Sequence, residues 1–279
     1  EYSRYVADVF GAPLALEGLI AFFLESTFLG LWIFGWTRLP RRVHLATIWL
    51  VTIGVTASAY FIIAANSFMQ HPVGVAWSDV RERPAMNNFW AVITNNTTLV
   101  AFPHVIAGSW LTAATFVGAI GAWWMTRNMI RAKKLSAAIE TGDTSDMPKT
   151  TSPSQIDATP QDLERDARRL WRPVTRFACW FAIVAGVLVI ITGDMQAQLM
   201  FKQQPMKMAA AESLCDTEQP AGFSVLAVGR QNNCDNIEHV ITIPRMLSFL
   251  ADHRFDSEVK GVNQLQDRLL YTSDAADEE

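Results

Sequence analysis

The stretch GAPLALEGLIAFFLESTFLGLWIFGW, Gly11–Trp36, decides how the rest of this chain is read. Its only ionisable side chains are Glu17 and Glu25, and about 20 largely apolar residues suffice for a helix to cross the hydrocarbon of a bilayer. No period-two alternation runs along it, which argues against a transmembrane β-strand. Three more windows of this kind follow, so spans are expected at about 12–36, 46–66, 100–125 and 174–193. Isolated glycines within them (Gly54, Gly108, Gly118, Gly186) suit close helix packing in lipid. Tryptophans gather near the window ends, at Trp32, Trp36, Trp49, Trp123, Trp124 and Trp171, as in the aromatic belts of membrane interfaces. So short a chain could not cover four such helices in water. The pattern predicts an all-α integral membrane protein, with four transmembrane helices of a larger helical bundle and an extracytoplasmic loop region.

Composition agrees. Of 279 residues, 50% are hydrophobic and 18% charged, with 10 Trp and 16 Phe, whereas about a quarter of a soluble domain is charged. Collagen, coiled coil, disorder and disulfide-rich mini-proteins are excluded, and a net charge of −4 offers no basic face for nucleic acid. That charge is uneven: 17 Lys/Arg face 14 Asp/Glu up to Gln204, against 6 and 13 beyond it. Residues 1–194 are expected to form the transmembrane region, 195–268 a watery loop region, and 269–279 a non-native tail. The chain begins with Glu1 rather than Met and is expected to start inside a longer protein.

Short loops set the orientation. Arg38, Arg41 and Arg42 sit between the first two windows, and nine Lys/Arg lie in 126–173. The intervening loop 67–99 has only Arg81 and Arg83. The positive-inside rule therefore puts both basic connectors in the cytoplasm, and 67–99, 1–11 and the tail after Gly193 outside. Residues 141–159, rich in Ser, Thr, Pro and Asp, read as a flexible linker.

Chemistry is sought where ionisable groups sit in the wrong solvent. A carboxylate at membrane depth costs at least a few kcal/mol unless protonated, hydrated or bound. On an ideal helix Glu17 and Glu25 lie about 12 Å apart along the axis and about 80° around it, so they can share one side as proton path or metal ligands; helix–helix hydrogen bonding is the plainer alternative. His104, at the outer end of the third window, is followed by Ala107 and Gly108. That leaves room for a planar group beside a potential haem ligand, although an interface or core histidine would look alike. Asp194 either terminates the fourth helix or acts at its end. Beyond it, Lys207 and Glu212 could hydrogen-bond and deprotonate a small polar head group at the membrane edge. His44, His71, His239 and His253 read as solvated. Cys179 reads as an apolar filler, while Cys215 and Cys234 fall in the outer, oxidising tail and are expected to form a disulfide.

Together the run Gly11–Trp36, the segment FPHVIAGSW, TGDMQ followed by QQPMKMAAAES, and the downstream IPRMLSFLADHRFDSEVKGVNQLQ resemble subunit I of cytochrome bd quinol oxidases. The resemblance runs from Glu1 to about Gln266, over roughly the third to sixth helices and the quinol-binding loop. It implies that His104 is an axial ligand of a low-spin haem b. It implies that Glu17 lies at the high-spin pair, haem b and haem d, as ligand or close neighbour. Glu25, with Ser26 and Thr27, would belong to the proton path to the oxygen site, and Lys207 and Glu212 to the quinol-oxidising loop. Ala197 stands where the family often has glycine, so a turn there would be built differently. The second low-spin ligand, a methionine, and a high-spin-haem histidine belong to helices this chain lacks, so the chain alone is expected not to assemble all three haems.

The implied activity is oxidation of quinol at the outer face and reduction of O2 to water with cytoplasmic protons, in a bacterial cytoplasmic (inner) membrane. Partners would be the oxidase's subunit II, a small single-helix subunit and the lipid bilayer. A haem-free proton or cation transporter using Glu17 and Glu25 is the competing reading. A cytochrome holding haem between histidine pairs is disfavoured, because only His104 lies in a window.

Overall fold

The computed structural model describes residues 2–78, 83–142, 159–229 and 237–266. Four of its helices are long and apolar enough to cross a membrane: Ala7–Phe34, Arg41–Gln70, Asn96–Thr141 and Pro160–Gln203. Each is longer than its apolar window, although the first stops at Phe34, two residues short of the expected end; each added residue gains a backbone hydrogen bond whether or not its side chain suits lipid. Residues 126–141 and 160–171, expected in a connector, are helical. So is the TGDMQ segment: Asp194 lies inside the fourth helix, and Ala197, a strong helix former, continues it where a turn had been expected. Of the expected linker, 143–158 fall outside the described residues, as does the tail 269–279.

Contacts divide the chain into two units, 1–103 with 192–279, and 104–191. In the first, α1 (Tyr2–Leu16) passes through a π-helical turn, Glu17–Phe22, into α2 (Phe23–Phe34). After a turn at Gly35 the chain returns as α3 (Arg41–Gln70). That turn requires glycine, because a Cβ would collide with the Leu31 carbonyl and the Leu39 side chain. His44 closes the hairpin rather than facing water: its Nε2 donates to the Trp32 carbonyl at 2.9 Å, and its ring lies 4.7 Å from that of Trp36.

Strands β1 (Val75–Ser78) and β2 (Arg83–Met86) pair antiparallel, Val75 opposite Met86. Arg83 clamps them to α1 through two 3.1 Å hydrogen bonds to the Asp8 carboxylate. Beneath lies a small core of Val9, Phe68 and Val92. The short α4 (Phe89–Ile93) is capped by Asn88, and buried Asn95 ties the start of α5 (Asn96–Thr141) to α3 by donating to the His71 carbonyl at 2.8 Å.

In the second unit α5 packs against the fourth helix, composed of α6 (Pro160–Asp166), a π-helical turn Ala167–Trp171 and α7 (Arg172–Gln203). Pro173 has no N–H to continue regular bonding, which accounts for the irregular turn before it. The helices cross at small residues. A Cβ on Gly121 would stand 2.6 Å from Thr175 Oγ1, and one on Gly118 3.4 Å from the Ala178 Cβ. Trp124 and Trp171 stack at 5.9 Å nearby. Gly54 and Gly118 thus serve close packing as expected, whereas Gly108 and Gly186 face open space.

Beyond α7, in the first unit, come α8 (Pro205–Ala211), the antiparallel pair β3 (Phe223–Val228) and β4 (Glu238–Ile243), and α9 (Met246–Asp252). Leu214, Ala221, Leu247 and Val259 form their core. Ser248, fully buried, accepts from the Ala221 N–H at 2.8 Å and donates to the Ser257 carbonyl at 2.6 Å.

Candidate functional site

The two acids of the first span both lie where it packs against α3. Glu17 is half-buried, and its Oε1 accepts a 2.8 Å hydrogen bond from Ser58 Oγ. Glu25 is half-buried too, and its backbone nitrogen would be 3.1 Å from a Cβ on Gly54. Ser58 and Gly54 are four apart on α3 and therefore share one face. A π-helical turn separates the acids, so the 80° offset of an ideal helix does not apply. π-bulges occur often at functional sites.

His104 is half-buried on α5. One turn on, Ala107 is 3% exposed, and a Cβ on Gly108 would meet nothing within 4 Å apart from its chain neighbours and its own helix backbone. An imidazole is thus followed on its own face by unfilled space. Among the described residues no three His, Cys, Asp or Glu side chains gather into a metal cluster. Iron held by such single donors must bring its own equatorial ligands, and that donor set, with the space beside His104, fits haem.

In the loop region, Lys207 is exposed on α8 and Glu212 caps its C-terminus, half-buried. Burial pushes the Glu212 carboxyl above the ordinary carboxylate range. Among the described residues no ion pair joins these two side chains. Cys215 is disulfide-bonded and Cys179 is a free thiol; Cys234 lies outside the described residues. A recess of about 360 Å³ opens beside the loop, lined among others by Phe201, Lys202, Asp252, Glu258 and Lys260, a size within the range of small-molecule sites.

Asp194 is held by Gln198 and His253, of which sequence spacing signals only the first. His253 Nε2 lies 3.0 Å from both its carboxylate oxygens, and Gln198 Nε2 donates to Oδ2 at 3.1 Å. His253, expected to be solvated, therefore fastens the end of α9 to the fourth helix. Gln198 was legible as an i,i+4 neighbour; nothing in the sequence connects 194 to 253.

The family pattern for cytochrome bd terminal oxidase subunit I matches residues 1–147 and 153–273. The chain is 38% identical over 267 residues to cytochrome bd ubiquinol oxidase subunit 1 of Bacillus subtilis (strain 168), covering 95% of this chain and 48% of that protein. It is 35% identical over 271 residues to cytochrome bd-II ubiquinol oxidase subunit 1 of Escherichia coli (strain K12), covering 95% and 44%. The structure of bd oxidase from Geobacillus thermodenitrificans shares the fold with TM-score 0.68 at 24% identity, over 94% of this chain and 51% of that one. The chain spans about half the length of the curated relatives it matches. With the family pattern extending over nearly every residue and two relatives above a third identity, this chain belongs to the cytochrome bd terminal oxidase subunit I family.

Proposed function

We propose that this chain forms part of the haem-bearing subunit of a terminal quinol:oxygen oxidoreductase in a bacterial cytoplasmic membrane. The observation that carries this reading is the family match along almost the whole chain, shared with relatives named as ubiquinol oxidase subunits. His104 would hold the low-spin haem b, and Glu17 would ligate or adjoin the high-spin haem b and haem d. When bound, these haems supply electron transfer and oxygen reduction. Subunit II, a small single-helix subunit and the remainder of subunit I would complete the assembly.

The chain's own residues would handle quinol and protons. On the outer face Lys207 and Glu212 bind and orient the quinol head group, the lysine as a hydrogen-bond donor and the glutamate as proton acceptor. The raised proton affinity of Glu212 brings it closer to working pH, where a general base is most effective. Asp194, steadied by His253 and Gln198, holds the loop against the helix end. From the cytoplasm, Glu25 with Ser26 and Thr27 passes protons inward, and Ser58 orients Glu17. Separating the two half-reactions across the membrane moves charge without a pump. Substituting His104→Ala in the complete complex is expected to abolish the low-spin b bands in reduced-minus-oxidised spectra; unchanged spectra would defeat the ligand assignment.

A further inference from the structure

The start of the fourth helix carries a stripe of cations that quinol oxidation does not use. Arg168, in the π-helical turn, and Arg172 and Arg176, which begin α7, recur every four residues; Arg172 and Arg176 lie about 6 Å apart along the α-helical axis and close to one face. With Pro173, Phe177 and Trp180 they line a groove of about 480 Å³. Arg168 Nη2 lies 3.7 Å from Glu164 Oε2, whereas Arg172 and Arg176 are exposed and have no acidic partner among the described residues. Like charges at this spacing repel, so the stack gains from an anion. The far end of the groove is aromatic: Phe177 is 71% and Trp180 66% exposed. Phe177 directly follows Arg176 and Trp180 lies about one turn beyond it, in the direction of the apolar stretch of α7. A free anion would use the guanidiniums but would leave those rings in water. A molecule with an anionic head and an apolar tail matches both ends, and paired guanidiniums suit the geometry of a phosphodiester.

We propose that this groove binds an anionic phospholipid, its phosphate between Arg172 and Arg176 with Arg168 at the rim and an acyl chain along Phe177 and Trp180. The test uses the complete oxidase containing this chain, exchanged into mixed detergent micelles of phosphatidylcholine and phosphatidylglycerol and examined by native mass spectrometry. Wild type is expected to retain phosphatidylglycerol preferentially. Arg172→Gln with Arg176→Gln is expected to lower the retained fraction roughly fivefold or more, the scale of a lost charge-assisted contact. Arg172→Lys with Arg176→Lys keeps the charge and is expected to retain lipid partly, and Trp180→Ala to weaken retention with all arginines in place. These two variants decide the matter if the glutamine variant does not assemble. The proposal is overturned by equal retention in all variants, by displacement with inorganic phosphate at the lipid's own concentration, or by a wild type that shows no preference over phosphatidylcholine.

Discussion

Glu212 shows how position sets chemistry at a single residue. A glutamate in water titrates near 4.3, and burial moves this one upward by penalising its charged form. In the proposed role Glu212 must be deprotonated to accept the quinol proton, so activity is expected to be lost as pH falls through the raised value and restored as pH rises above it. The acid limb of the pH–rate profile is therefore expected at higher pH than an ordinary glutamate gives. In Glu212→Gln the limb is expected to vanish and kcat to fall roughly a hundredfold, the lower range for losing general-base catalysis, with haem spectra intact. A profile unchanged by the substitution would remove Glu212 from the reaction. Glu17 and Glu25 were legible because a charge in an apolar window demands an explanation. Their surroundings were not: Ser58 is one small polar residue among several in α3, and the pairing of His253 with Asp194 depends on how a long loop folds back.

At the scale of elements, the sequence located the middle of each long helix and missed its ends. Apolar composition marks where lipid can surround a helix, but termination depends on caps and breakers. Thr159 starts α6 with a capping box to Asp162, a signal that lay hidden in a stretch read as linker. The crossing of α5 and α7 is a place where one atom decides packing. Gly121→Val would put carbon against Thr175, with an expected cost of about 1–3 kcal/mol from overpacking, read as earlier unfolding of the complex in graded SDS. Gly186→Ala, facing open space, is expected to leave that transition unchanged. The loop gives a second test. His253→Ala removes the fastening of α9 to Asp194, an exposed pair contributing about 1 kcal/mol or less, so limited proteolysis after α9 is expected to accelerate up to about fivefold. Unchanged cleavage would mean that the core around Leu247 alone holds the loop.

Viewed whole, the chain inverts the rule for soluble proteins. Leu19, Phe34, Phe177 and Ile190 are each more than 70% exposed, while part of its interior is lined by threonine and asparagine: Thr97, Thr98, Asn95 and Asn128 are all nearly inaccessible. Large side chains turned outward are stable only in lipid or against further helices, which agrees with a chain spanning about half of its relatives. The orientation proposed for it rests on the arginine-rich connectors. Hydrophobic burial is the same from either side of a membrane, so only the asymmetry of Lys and Arg sets direction. Membrane-impermeant maleimide applied to intact cells tests that asymmetry in a Cys179→Ser background, where Cys215 is already in a disulfide. Asn87→Cys, exposed between β2 and α4, is expected to label from outside, and Glu140→Cys, exposed near the end of α5, only after permeabilisation. The reverse pattern would put Lys207 and Glu212 on the cytoplasmic face. Quinol protons would then be released on the side from which oxygen reduction takes its own, and the oxidase could not separate charge by the arrangement proposed.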